Sequence, residues 1–145
     1  MPAQRAWLEE RWEAGQRVVT DLLAMEPRST ATLEPTHVPR GWGLYAFSVV
    51  GADDGRFLRA GHTDNLARRI CTDHLRGSQA GDLSVQLRAA GEYPDLAAAR
   101  WFVQHNCVVR WVQVPDAATA KWAELLMLGV LRPQYADLSP RFLGV

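Results

Sequence analysis

A glutamate on an otherwise apolar helical segment is the residue of this chain best suited to chemistry. Glu124 follows Lys121 among apolar neighbours, and no further charge occurs before Arg132. Such a helix is expected to be buried, and a buried carboxylate is costly unless it is paired, protonated or bound to a metal. Glu124 is therefore a candidate metal ligand. The alternatives are a carboxylate at the rim of the core or one paired with an arginine such as Arg69.

Arginines are concentrated in the middle of the chain, where they could hold a phosphate. Residues 55–112 contain eight Arg against five acids, whereas residues 1–54 contain five Arg against eight acids. Arg69 lies there in a helical pattern, and a guanidinium can donate two parallel hydrogen bonds to a phosphate. The alternatives are an i,i+4 surface pair with Asp73 and a set of solvated side chains. A net charge of zero argues mildly against a nucleic-acid partner.

Three other polar side chains lie near these candidates. Tyr45 falls within a strand pattern, where a tyrosine usually belongs to the core, and His62 and His74 flank the arginine helix, where each is more often structural than a ligand. The sequence has no Ser-His-Asp order, glycine-rich phosphate loop or zinc signature. Cys71 and Cys107 fit no metal spacing and are predicted to be reduced, buried thiols of a cytoplasmic protein.

The elements that must position these residues follow from hydrophobic periodicity and turn signals. Apolar residues at helical spacing predict an amphipathic helix over residues 3–26, and a proline-rich connector follows to residue 40. Runs of β-forming residues predict strands over 43–50, 56–60 and 108–114, with a turn at 52–55.

Helical patterns fill most of the remaining chain. Helices are predicted over residues 66–75, 82–87, 95–105 and 117–131, with Thr63 or Asp64 capping the first, Asp82 the second and Asp116 the last. This order predicts an α+β domain over residues 41–145, with a small three-stranded, mainly antiparallel sheet flanked by helices. The extra N-terminal helix within residues 1–40 is expected to pack on this domain, or else to bind a protein partner or a second copy. No apolar run is long enough for a membrane span.

In their order along the chain, the motifs resemble the GIY-YIG nuclease family. Gly43-Leu44-Tyr45 is followed, after thirteen residues, by Arg59-Ala60-Gly61-His62-Thr63-Asp64-Asn65-Leu66-Ala67-Arg68-Arg69 and then by His74. Further along, the chain resembles the family's strand, glutamate helix and closing proline at Trp111–Asp116, Lys121–Leu126 and Leu131–Pro133. The similarity covers residues 43–137.

The resemblance implies a metal-dependent endonuclease that hydrolyses phosphodiester bonds of DNA. It assigns a single Mg²⁺ or Mn²⁺ to Glu124, the scissile phosphate to Arg69 and the attacking water to Tyr45, which would orient or deprotonate it. His74 is expected to assist the proton transfer. Further contacts with nucleic acid are expected from Arg59, His62, Arg68 and Arg76.

Three positions depart from the family pattern. Arg59 replaces the tyrosine of the second motif, and His74 follows Arg69 by five residues where four is common. Ala136, followed by Asp137, stands where an asparagine is expected. Two other hypotheses therefore stay open: a catalytically altered domain of this family that binds nucleic acid or a protein, and an unrelated small α+β protein.

Overall fold

The computed structural model describes residues 2–51 and 56–136. Its elements follow in the order α1 (Pro2–Ala24), β1 (Arg28–Ser29), a 3₁₀ helix (Pro35–His37), β2 (Gly43–Val49), β3 (Phe57–Thr63), a π-helix (Arg68–His74), α2 (Leu83–Ala89), α3 (Leu96–Asn106), β4 (Cys107–Gln113), α4 (Ala117–Leu131) and β5 (Tyr135–Ala136). The predicted turn at residues 52–55 and the position of Asp137 lie outside the described residues.

Three long strands form the antiparallel centre of the sheet. β2 lies between β3 and β4 and is antiparallel to both. In the described part of the chain, the two-residue strand β1 adds to β4, and the two-residue strand β5 adds in parallel to β3, which gives the order β1-β4-β2-β3-β5. The predicted α+β class is confirmed. The predicted number of strands is too low, because two-residue edge strands are too short to produce a sequence pattern.

The two faces of β2 enter two different hydrophobic cores. Tyr45 and Phe47 face the layer formed by the π-helix, α2 and α3. Leu44 and Ala46 face the opposite layer, which contains α1 and α4. Successive side chains of a strand point to opposite faces, so a strand covered on both sides carries an unbroken apolar run. β2 is therefore well placed to present side chains to both layers.

The N-terminal helix packs on its own domain mainly through its C-terminal half, although Nε1 of Trp122 also donates to the carbonyl of Arg11 at 2.8 Å. Gly15, Val19 and Leu22 are buried, whereas residues 2–14 are exposed. A Cβ on Gly15 would lie 2.9 Å from Nε1 of Trp122, so this glycine allows α1 and α4 to approach closely. The expected packing therefore holds for half of the helix.

The start of α4 agrees with the sequence-based prediction, whereas the helical segment after β3 begins at a different residue. Asp116 begins α4 as predicted, because its carboxylate accepts a backbone N–H of the first turn at 2.7 Å. After β3, Asn65 begins the helical segment, since its Oδ1 accepts the N–H of Arg68 at 3.1 Å. Asn65 therefore takes the place expected for Thr63 or Asp64.

The predicted burial of both cysteines is confirmed. Cys71 and Cys107 are free, buried thiols, and burial raises the pKa of Cys107 to about 12. In residues 2–51 and 56–136, no helix has the length and apolar character to cross a bilayer.

Candidate active site

The phenol of Tyr45 is the centre of one half of the site. Its hydroxyl lies 2.8 Å from Nε2 of His74, whose Nδ1 accepts the N–H of Leu83 at 3.0 Å. A neutral imidazole has a single N–H, so the hydrogen is on Nε2 and is donated to the phenol oxygen. Burial, and then the charges of Arg69 and Arg59, hold the pKa of His74 well below its ordinary value. The ring is therefore neutral, and it donates to Tyr45.

The π-helix brings Arg69 and His74 to the same side of the segment. Residues of a π-helix bond from i to i+5, so side chains five apart align as side chains four apart do in an α-helix. His74 hydrogen-bonds Tyr45, and Arg69 lies near the same phenol. Burial acts to lower the pKa of Arg69, but the nearby Tyr45 and Asp73 outweigh it and raise the pKa. The unusual spacing of five therefore leaves the histidine in contact with the phenol.

Arg69 is held by acidic partners. Its Nη1 lies 3.0 Å from Oδ1 of Asp82 and 3.3 Å from Oδ2 of Asp73, and its Nη2 donates to the carbonyl of Gly81 at 3.2 Å. The ion pair between Arg69 and Asp73 is the i,i+4 pair that the sequence left open as an alternative to phosphate binding. Asp82 occupies the N-cap position of α2, as predicted, but its carboxylate caps no N–H of that helix. It binds Arg69 and the N–H of Gln79 instead. A phosphate would therefore meet a guanidinium with several donors already in use.

Glu124 forms the other half of the site. Its Oε2 accepts the backbone N–H of His62 at 2.6 Å and lies 2.5 Å from Nδ1 of the same residue. The sequence predicts a contact between His62 and nucleic acid, and it leaves Arg69 open as an alternative partner of Glu124. The structure pairs His62 and Glu124 with each other.

The carboxylate has the chemistry for one hard cation. No described residue donates to Oε1 of Glu124, and the side chain keeps 7% of its surface exposed. Among the described residues there is no group of three or more His, Cys, Asp or Glu side chains that could hold a metal. Mg²⁺ is commonly bound through one or two carboxylates and keeps several waters, so a single free carboxylate oxygen fits it. Glu124 is the residue that could hold the ion.

The two halves meet at consecutive residues of β3. Tyr45 pairs with Gly61 across the sheet, and a Cβ on Gly61 would lie 2.8 Å from the phenol oxygen. Glu124 binds the next residue, His62, from the face on which α4 packs. Within the described residues β5 pairs with β3 at Arg59 and Ala60, and the backbone N–H of His62, two residues further along β3, binds the carboxylate. The phenol and the carboxylate thus approach one strand end from opposite faces of the sheet.

Burial changes the roles expected for two residues. Tyr45 is 1% exposed and His74 is fully buried, so neither side chain is placed to touch a water or phosphate at the surface. Their hydrogen bond to each other lies in the core, where the phenol packs against Gly61 of β3. The accessible members of the site are Arg69 and His62, whose side chains are 18% and 26% exposed, together with Glu124.

The other arginines expected to bind nucleic acid lie in different surroundings. Arg59 is 1% exposed and donates to Oε1 of Gln86 at 3.0 Å, so its side chain is not where a surface phosphate contact was expected. Arg68 is exposed and pairs with Asp64 at 2.7 Å. Arg76 is exposed but lines a separate pocket beside α3. Of these three, Arg68 alone adjoins Arg69.

Two features of the site could not be read from sequence motifs. Asp82 is an acid at a predicted helix start, and its partner Arg69 lies thirteen residues away. The bond between His62 and Glu124 joins residues sixty-two positions apart. In comparisons with known proteins, no protein family, curated protein or solved structure matches this chain.

Proposed function

We propose that this protein is a metal-dependent endonuclease that hydrolyses phosphodiester bonds of DNA beside the C-terminal end of β3. The observation that carries the proposal is the meeting of two half-sites at Gly61 and His62. One half supplies a guanidinium held by two acidic side chains and a backbone carbonyl, and the other supplies a carboxylate whose Oε1 receives no donor from a described residue. The motif order that resembles GIY-YIG nucleases supports the same function.

Arg69 and Glu124 would act on opposite parts of one phosphate. Arg69 would donate its remaining N–H groups to the non-bridging oxygens, whose negative charge grows as water attacks. A divalent cation on Glu124, when bound, supplies positive charge at the leaving oxygen. The water oxygen bonds to phosphorus, the bond from phosphorus to the leaving sugar oxygen breaks, and protons exchange with solvent. Asp73, Asp82 and the carbonyl of Gly81 keep the guanidinium in place.

Plasmid nicking with Mg²⁺ or Mn²⁺ tests this function. Glu124→Gln keeps an oxygen that can accept from His62 but removes the charge that would hold the cation. We expect nicking to fall by about 10²-fold or more in this variant. Nicking by Glu124→Gln at the rate of the natural protein would refute the proposed site.

Arg69 needs a conservative replacement, because Asp82 is almost fully buried. Alanine would leave the Asp82 carboxylate, 2% exposed, without its cation, and breaking such a pair costs about 3–5 kcal/mol. Arg69→Lys keeps a positive charge there but cannot form a planar fork on phosphate. We expect Arg69→Lys to lose nicking while the protein stays folded. Arg68→Lys, at the exposed neighbouring position, is the matched control and should retain nicking.

Binding without cleavage is the second candidate function. The acidic partners of Arg69 favour it, since Asp73 and Asp82 already occupy donors that a scissile phosphate would need. It predicts DNA binding that weakens with salt, no nicking with either metal, and equal affinity in Glu124→Gln. The nicking and binding measurements together therefore separate the two functions.

A further inference from the structure

The side chain of His62 lies against the proposed metal ligand and has no role in the function described so far. We propose that His62 is a positioning residue, which fixes Glu124 so that Oε1 faces the cation. This inference rests on the proposed function, because it concerns the same carboxylate. It differs from the sequence expectation, in which His62 contacts nucleic acid.

One oxygen of the carboxylate receives two donors from a single residue. A carboxylate only accepts hydrogen bonds, so Nδ1 of His62 carries the hydrogen that it shares with Oε2 of Glu124 at 2.5 Å. The backbone N–H of His62 reaches the same oxygen at 2.6 Å. These two bonds fix the orientation of the carboxylate and leave Oε1 without a donor from the described part of the chain. Carboxylates that bind metals are commonly held by such hydrogen bonds from a second residue.

The imidazole is itself held in place on two sides. Its backbone pairs with Leu44 in the centre of the sheet. Its ring stacks on Trp42 with the centroids 6.4 Å apart and the planes 11° apart. A ring that is already oriented loses little freedom when it binds the carboxylate. The contact between His62 and Glu124 is therefore prearranged by the end of β3 and by Trp42.

A competing interpretation makes the opposite prediction for metal affinity. If His62 served as the cation that neutralises Glu124, it would take the place of a metal. Removing the ring would then strengthen metal binding. If His62 positions Glu124, removing the ring weakens metal binding, and an amide donor in the same place restores it.

The experiment measures metal binding directly and needs no cleavage. The full-length protein, labelled with ¹⁵N, is titrated with Mn²⁺, and the paramagnetic broadening of the amide signals of Gly61 and Ala123 is followed. We expect His62→Ala to require about 10- to 100-fold more Mn²⁺ for the same broadening. His62→Asn should restore the response to within a few-fold, because its side-chain N–H can donate from the position of Nδ1. His105→Ala removes an exposed histidine elsewhere and should leave the titration unchanged.

Each outcome decides something different. Equal or tighter Mn²⁺ binding by His62→Ala overturns the positioning role while leaving the metal site intact. A weakened His62→Ala that His62→Asn does not rescue also overturns it, because the loss then does not depend on the donor. No broadening near β3 in the natural protein overturns the metal site itself, and with it both this inference and the metal-dependent function.

Discussion

Replacing Gly61 by alanine perturbs the contact at which the two halves of the site meet. The added Cβ would lie 2.8 Å from the oxygen and 3.2 Å from Cζ of Tyr45, closer than such atoms approach in proteins. The phenol is buried and can move away only by breaking its bond to His74. Overpacking of this kind costs about 1–3 kcal/mol, and a lost buried hydrogen bond adds about 1 kcal/mol. Alanine also lowers the conformational entropy of the unfolded chain relative to glycine, which stabilises the folded protein by about 0.4–1 kcal/mol.

We therefore expect Gly61→Ala to lower the free energy of unfolding by about 2–3 kcal/mol. Guanidinium unfolding followed by tryptophan fluorescence measures this change. Gly129→Ala is the matched control, because no described atom lies within 4 Å of a Cβ there and Gly129 is exposed on α4. It should raise stability by about 0.5–1 kcal/mol.

A second background tests whether the phenol oxygen causes the cost. In Tyr45→Phe the atom nearest to the new Cβ is absent, so Gly61→Ala should cost at least about 1 kcal/mol less than in the natural protein. Equal costs in the two backgrounds, or a Gly61→Ala protein as stable as the natural one, would refute the close packing of Tyr45 on Gly61.

Two further predictions concern the π-helix and its histidine. Burial depresses the pKa of His74 in the folded protein, so the unfolded chain binds a proton at this residue more readily. The free energy of unfolding should therefore be highest above the ordinary pKa of 6.5 and fall as the pH drops below it, by at most about 1.4 kcal/mol per pH unit. Denaturant midpoints at acidic and neutral pH should show a shallower fall in His74→Phe, and an unchanged slope in that variant would contradict the buried neutral ring. Deleting the exposed Thr72 should convert the π-helix into an α-helix that keeps His74 near Tyr45, so unfolding midpoints should change little. Deleting the exposed Ala118 from α4 should lower the free energy of unfolding much more than deleting Thr72 does. Equal losses of stability in the two deletion variants would contradict the tolerance expected of the π-helix.

The long elements of the fold could be predicted because their patterns are local. The apolar run of β2 and the capped helix that begins after Asp116 are set by neighbouring residues. The edge strands β1 and β5 could not be predicted, since two residues carry no period. The π-helix could not be predicted either, because a histidine five positions after Arg69 is out of line with that arginine if the segment is taken as an α-helix.

The residues of the site were easier to predict than their partners. Glu124 stood out as the sole acid of an apolar helix, and in the structure its carboxylate binds the end of β3 at His62. Its bond to His62 depends on the packing of α4 against β3, which no local pattern specifies. The burial of Tyr45 likewise depends on the layer that covers β2. Sequence therefore suggested which groups could act, and packing decides which of them a substrate can reach.

The most direct test of the proposed site is a crystal structure of the protein with Mn²⁺ and a short DNA duplex, with the metal located by its anomalous scattering. We expect one metal peak at Oε1 of Glu124 and a DNA phosphate between that metal and Arg69. A metal bound elsewhere, or a duplex whose phosphates do not reach the edge of β3, would contradict the proposal that these two half-sites act on one phosphodiester.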